Sequence, residues 1–124
     1  MRIFKNTRFS RFAKKEHIDD EELLKVVGKL EEGHFYADLG GDVYKMCIAR
    51  SGEGKSGGYR VMVLFRSGER TFYVHGFVKS VTTNISKKEL AQLKKLAKTL
   101  FAYTDTEIEM ALKEGYFEEI KEKV

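Results

Sequence analysis

Three strand-like segments joined by short connections constrain the fold of this chain more than any other feature. Residues 43–49, 59–65 and 71–78 are rich in β-branched and aromatic side chains, which are the residue types that strands favour. A glycine-rich loop joins the first two segments, and a tight turn around Gly68 joins the last two. Because a parallel pair needs a crossover of about a dozen residues or more, these neighbours must be antiparallel.

Helical periodicity flanks this predicted meander on both sides. Apolar residues at spacings of three and four predict four helices, at 7–13, 19–33, 86–100 and 104–115. With a short first strand at 1–4, the order β-α-α-β-β-β-α-α predicts an α+β fold with helices packed on one face of a small antiparallel sheet. We expect a single domain over residues 1–124, with 105–124 forming an acidic C-terminal helix and tail that pack back on it.

Composition excludes several classes of protein. No apolar run approaches the roughly 20 residues of a membrane-spanning helix, and residues 1–5 lack the apolar centre of a signal peptide. Cys47 is the only cysteine, so no internal disulfide can form, which is typical of a reducing cytoplasm. The histidines are isolated in sequence, so we predict neither a metal site nor a cofactor. A cytoplasmic protein without membrane contact is expected.

The charge is distributed unevenly along the chain. Residues 1–100 carry 20 Lys and Arg against 12 Asp and Glu, whereas residues 101–124 carry 3 against 7. Within the sheet region 43–79, seven cations stand against only two acids. A basic body of this kind is typical of polyanion binding, which the release of counterions drives. The alternative is a solvated basic face with no partner.

Residues 49–56 imitate a phosphate-binding P-loop, with Ala49 in place of its first glycine and Gly54-Lys55-Ser56 at its end. A P-loop must run from a strand into a helix, because the helix N-terminus supplies the N–H groups that hold phosphate. Here the strand-like residues 59–65 follow instead. The pattern therefore predicts a basic hairpin loop rather than a nucleotide site.

Each predicted central strand carries a cation that bears on function. Lys45 lies in the first strand, Arg60 begins the second, and Lys79 ends the third. Because side chains alternate between the faces of a strand and helices should cover one face, these cations can converge only near the open face or its rim. Apolar residues occur on both faces of every strand, so the register stays open. A cationic cluster spread over three strands is a better candidate site than a charged helix face.

The chain resembles the RelE/HigB toxins of bacterial type II toxin–antitoxin systems, in particular a compact, phage-linked branch. The matching residues span most of the chain and are Asp38-Leu39-Gly40-Gly41, Lys45, Ala49-Arg50, Gly52, Gly54-Lys55-Ser56-Gly57-Gly58-Tyr59-Arg60, Phe77-Val78-Lys79 and Asn84-Ile85. The resemblance implies a small RelE-like fold that enters the ribosomal A site and cuts mRNA by attack of the 2′-hydroxyl, with no metal. It also implies three partners: mRNA, the 30S ribosomal subunit, and a cognate antitoxin of the helix-turn-helix DNA-binding kind.

The same resemblance assigns roles to individual residues. The catalytic cations are Arg60, Lys79 and Lys45. The residues that bind RNA are Arg50, Lys55, Tyr59 and Arg66. Basic side chains suit this reaction, because stabilisation of developing charge is usually the largest catalytic contribution.

The chain departs from the family pattern at two places. Cys47 stands where relatives usually carry a second basic residue, and residues 80–82 replace an Asn-Glu-Arg sequence. These changes favour a catalytically weakened basic module that only binds RNA as an alternative to an active nuclease. A separate alternative is a ParE-like poison of DNA gyrase, which has the same fold. The glycine-rich loop and Lys79 favour the nuclease over the gyrase poison.

Overall fold

The computed structural model describes residues 1–49, 58–79 and 84–121. Four helices and six strands follow one another along this part of the chain. They are β1 (Arg2–Asn6), α1 (Thr7–Glu16), α2 (Asp20–Glu31), β2 (Ala37–Asp38), β3 (Val43–Ile48), β4 (Tyr59–Phe65), β5 (Arg70–Val78), α3 (Lys87–Phe101), α4 (Asp105–Lys113) and β6 (Phe117–Ile120). None of these helices combines the length and the apolar character that crossing a bilayer requires.

The strands form one sheet in the order β2-β3-β4-β5-β1-β6. The central strands β3, β4 and β5 pair antiparallel, which confirms the predicted meander. The first strand, β1, lies beside β5 and pairs with it in parallel, with Phe4 opposite Phe72. The α+β class and the mostly antiparallel sheet are therefore confirmed.

The prediction that helices cover only one face of the sheet is wrong. Helices α1 and α2 pack on the face that carries Val61, Val63 and Tyr73, whereas α3 and α4 pack on the face that carries Met62 and Leu64. The physical reason lies in β4, whose seven residues are all buried. Because alternate residues of a strand point to opposite faces, a strand whose residues are all buried needs cover on both sides.

The C-terminal segment packs back on the domain, as predicted. The side chain of Ile108 in α4 is fully buried, and Ile120 is 3% exposed. The expected tail is instead a strand, because residues Phe117–Ile120 pair antiparallel with β1. Arg2 fastens this segment, since its guanidinium contacts Glu119 of β6 at 2.9 Å and Glu109 of α4 at 2.7 Å.

The contact between Arg2 and Glu119 predicts a pH dependence of stability. The hydrogen bonds from Arg2 hold the pKa of Glu119 below its ordinary 4.5. A depressed folded pKa stabilises the protein above the unfolded pKa, and this stabilisation is lost as the pH falls through the folded value. We expect Glu119→Gln to lower the free energy of unfolding at pH 7 by about 0.5–1 kcal/mol. That deficit should shrink below pH 4.5 in urea melts.

Glu118 provides the matched control for this prediction. It is a neighbouring carboxylate that is 67% exposed and 3.9 Å from the ammonium of Lys5. Glu118→Gln should change stability by less than about 0.5 kcal/mol. A deficit in Glu119→Gln that stays constant from pH 7 to pH 3 would show that the carboxylate charge is not its cause.

Candidate functional site

The register of the central strands brings the predicted cations to one end of the sheet. Lys45 pairs with Met62, and Cys47 pairs with Arg60. Directly opposed residues point to the same face, so both cations lie on the face that α3 and α4 cover. Lys79 follows the end of β5, and its backbone N–H donates to the Gly58 carbonyl at 3.1 Å. All three residues assigned to catalysis are therefore near the start of β4.

Two of these cations are buried. Lys45 is 8% exposed and Arg60 is 5% exposed. The Lys45 ammonium donates to Oδ1 of Asn84 at 3.3 Å, and one guanidinium nitrogen of Arg60 donates to the Tyr59 carbonyl at 3.5 Å. Neither cation forms an ion pair with a carboxylate in the part of the chain that the structure describes. Burying a charge costs on the order of several kcal/mol unless an opposite charge compensates it. Among the described residues no carboxylate does so, and an anionic ligand would supply that charge.

Tyr36 completes the cationic cluster and was not predicted from the sequence. The Arg60 guanidinium carbon lies 4.8 Å from the centre of its ring, and the Lys45 ammonium lies 5.4 Å from it. The backbone N–H of Tyr36 donates to the Lys45 carbonyl at 3.1 Å, which ties the ring to β3. Attraction between each cation and the ring offsets part of the cost of burying the charges.

A concave pocket of about 610 Å³ opens beside this cluster. Its walls carry three cations and no carboxylate among the described residues. The lining residues are Lys29, Tyr36, Cys47, Ile48, Ala49, Arg60 and Lys79. A cleft lined by charge of one sign concentrates the opposite charge. Lys29, at the end of α2, was also missed from the sequence, because only the packing of α2 on the sheet places it here.

Cys47 is exposed and faces this pocket. It occupies the position at which the family pattern has a second basic residue, directly opposite Arg60. The departure noted in the sequence therefore affects the site itself. Compared with the pattern that the resemblance implies, the pocket has one positive charge fewer, and Lys29, Arg60 and Lys79 are the cations among its described lining residues.

Two residues assigned to RNA binding lie away from this pocket. Tyr59 is buried on the opposite face, where its ring meets Phe12 edge-on at 5.7 Å. Arg66 follows the far end of β4, about 20 Å from Arg60 at the usual rise of a strand. It contacts Asp42 at 2.9 Å and stacks on the ring of an α3 residue. The structure does not bring either residue to the cluster.

The glycine-rich loop is the remaining part of the predicted site. Arg50 and Lys55 lie outside the described residues, so their roles stay predictions. The segment after the loop is the strand β4. The P-loop pattern is therefore followed by a strand and not by a helix, which agrees with the prediction from the sequence.

His75 is a further titratable group on the same face, since it pairs with Met62. Burial lowers its pKa, and the nearby Arg8 lowers it further. Its Nε2 lies 4.0 Å from Glu89, and the residue does not line the pocket. We assign it no role in the site.

A family model described as the RelE toxin of the RelE/RelB toxin–antitoxin system matches residues 1–120. The chain belongs to the RelE family. The match spans every helix and strand from β1 to β6, so the resemblance inferred from the motifs is confirmed. As a RelE toxin, the protein is the toxin of a toxin–antitoxin system and has a cognate antitoxin as its partner. A search of curated proteins found no match to this chain.

Proposed function

We propose that this RelE toxin is an endoribonuclease that cuts mRNA in the ribosomal A site without a metal ion. The observation that carries the proposal is the Arg60 guanidinium. It is buried, it has no carboxylate partner among the described residues, and it lines a pocket that also holds Lys29 and Lys79. Phosphodiester RNA supplies an anion that the described lining residues do not.

The reaction requires one bond to form and one to break at phosphorus. The 2′-oxygen bonds to the phosphorus, and the bond to the 5′-oxygen breaks, which leaves a 2′,3′-cyclic phosphate and a 5′-hydroxyl. A basic group must take the proton of the 2′-hydroxyl, and an acid must protonate the departing 5′-oxygen. Lys45 and Lys79 are the side chains that we assign to these proton transfers.

Arg60 stabilises the charge that develops on the non-bridging oxygens. A guanidinium presents a planar fork of N–H donors that matches two phosphate oxygens at once. Burial strengthens this interaction, because fixed charges act more strongly where water is excluded. The pocket volume of about 610 Å³ lies within the range of small-molecule sites, so one or two nucleotides fit.

The proposal defines the partners of the toxin. Its substrate is mRNA presented by the 30S ribosomal subunit, and its inhibitor is a helix-turn-helix antitoxin. Arg50 and Lys55, which lie outside the described residues, keep the RNA-binding role that the resemblance gives them. Cys47 is exposed and stands where the resemblance implies a cation. A weakened enzyme is therefore the second candidate, since less positive charge faces the phosphate.

The test is an in vitro translation reaction followed by primer extension on the message. We expect new 3′ ends within the A-site codon when the wild-type toxin is added. An intact message together with inhibited DNA supercoiling would favour a ParE-like gyrase poison. An intact message with unchanged supercoiling would leave a module that only binds RNA.

Arg66→Ala is the matched control for this assay. It removes the same type of side chain as Arg60→Ala, next to the same strand, but at the end where Arg66 contacts Asp42. Cleavage should persist in Arg66→Ala and disappear in Arg60→Ala. Equal loss in both variants would show that general positive charge, rather than the pocket, determines the activity.

A further inference from the structure

Tyr36 borders the cationic pocket while more than half of the residue is exposed to solvent. The residue is 58% exposed, although its ring contacts the Arg60 guanidinium at 4.8 Å and the Lys45 ammonium at 5.4 Å. The hydrogen bond from its N–H to the Lys45 carbonyl fixes its backbone. An aromatic ring that is both anchored and exposed loses little conformational entropy when a ligand packs on it.

The neighbouring aromatic residue shows that this placement is specific. Phe35 is 45% exposed, but its ring packs on Tyr44 at 5.2 Å. Tyr44 packs with the core that α1 and α2 cover, so Phe35 lies toward that face and Tyr36 lies toward the cations. Two adjacent exposed rings therefore have different surroundings, and only Tyr36 of the pair borders the pocket.

The ring of Tyr36 and the guanidinium of Arg60 are in contact, so a group bound to one lies beside the other. A phosphate held by Arg60 carries its nucleoside within reach of the exposed ring surface. Nucleobases stack on aromatic side chains with a gain of about 1–3 kcal/mol per base, whatever the base. Arg60 and Lys45, which contact the ring, balance the negative charge of the phosphate. The ring itself provides an apolar surface on which the base can stack.

We propose that Tyr36 is the nucleobase-stacking residue of this site, an inference that rests on the proposed RNA-cleaving function. Its ring holds Arg60 and Lys45 in place and stacks on the base next to the reacting phosphate. Single-stranded RNA is thereby recognised by one base and one phosphate together. An abasic strand of equal charge binds more weakly.

Tyr36→Trp provides a direct measurement, because the native chain has no tryptophan. The probe is hexa-adenylate RNA, compared with an abasic hexamer of the same charge. We expect hexa-adenylate to quench the emission of the introduced indole and the abasic hexamer to leave it nearly unchanged. Equal quenching by both strands would overturn the proposal, since the ring would then respond only to charge.

Affinities measured on the native aromatic residue complete the test. Tyr36→Ala should weaken binding of hexa-adenylate about tenfold and reduce the difference between hexa-adenylate and the abasic strand. Tyr36→Phe should retain wild-type affinity, since the ring remains, and Phe35→Ala is the control that should bind normally. If Tyr36→Ala loses the same affinity for both strands, the ring acts only through its cations and the stacking role is wrong.

Primer extension separates failure of this inference from failure of the proposed function. Cleavage by the wild type with equal cleavage by Tyr36→Ala would refute the role of Tyr36 and leave the nuclease intact. Base-dependent quenching with no cleavage by the wild type would support Tyr36 as the stacking residue and refute the nuclease.

Discussion

Arg60→Ala should abolish mRNA cleavage and toxicity while the protein stays folded. Its guanidinium is buried and faces the pocket. Loss of a preorganised group that stabilises developing charge costs about 10²–10³ in rate. Arg60→Lys should recover little of this, because an ammonium cannot hold two phosphate oxygens in a planar fork. Lys79→Ala should be the next most severe change, since Lys79 lies at the side of the pocket.

The stability of the Arg60 variants distinguishes a catalytic from a structural role. Removing a buried charge that has no carboxylate partner among the described residues also removes its desolvation penalty, so Arg60→Met should be as stable as the wild type or more stable. Growth assays measure the toxicity of these variants, and thermal melts on the same proteins measure their stability. A lower melting temperature together with lost toxicity would mean that Arg60 supports the fold rather than the reaction.

The sheet was predictable from the sequence only in part, and β4 shows why. Segments rich in β-branched and aromatic residues, joined by short connections, predict an antiparallel meander, and β3, β4 and β5 form one. Apolar residues on both faces of β4 also indicated cover on both sides of the sheet, but the prediction placed the helices on only one side. The position of β1 depends on a long-range parallel pairing with β5, which no local pattern encodes.

The strand β6 was missed for a different reason. Residues Phe117–Ile120 carry two adjacent glutamates, and acidic residues are depleted in strands. Arg2 overrides this preference by pairing with Glu119. Arg2, which balances the charge of Glu119, lies at the other end of the chain, so the local sequence around β6 does not predict this pairing.

The candidate site likewise contains residues that the sequence identified and residues that only tertiary packing brings together. Lys45 and Arg60 were identified as strand cations from the sequence, but the register stayed open, and the observed pairing of Cys47 with Arg60 is what places both cations on one face. Alternation along β4 excludes Tyr59 from the pocket, because adjacent residues of a strand point to opposite faces. Tyr36 and Lys29 precede the sheet meander in sequence, and only the packing of α2 and β2 brings them to Arg60. Local patterns therefore identified the charges but not the ring between them.

The ends of β3 and β4 meet so closely that a single methyl group should disturb the site. A Cβ on Gly58 would lie 2.5 Å from the Ile48 carbonyl oxygen and 3.4 Å from the Ala49 Cα. Both neighbours are backbone, so they cannot rotate away as a side chain can. Gly58 also accepts the hydrogen bond from the Lys79 N–H at 3.1 Å. A shift here would therefore displace both the start of β4 and Lys79.

Gly58→Ala should destabilise the protein by about 1–3 kcal/mol, the usual cost of forcing extra volume into a packed region. It should also reduce cleavage more than this loss of stability explains, because a displacement of about 1 Å at a catalytic group can cost 10²-fold in rate. Urea melts give the stability, and primer extension at a temperature where the variant is fully folded gives the rate.

Gly28→Ala is the matched control, since it adds the same methyl group to the interior of α2. Beyond the backbone of its own helix, no atom of the described residues lies within 4 Å of a Cβ at that position, and alanine is favoured over glycine in a helix by about 0.5–1 kcal/mol. Gly28→Ala should therefore stabilise the protein and keep full activity. If Gly58→Ala also retained wild-type stability and cleavage, the strand ends would have to separate without cost, and the close approach of β3 to β4 would not position Arg60 and Lys79.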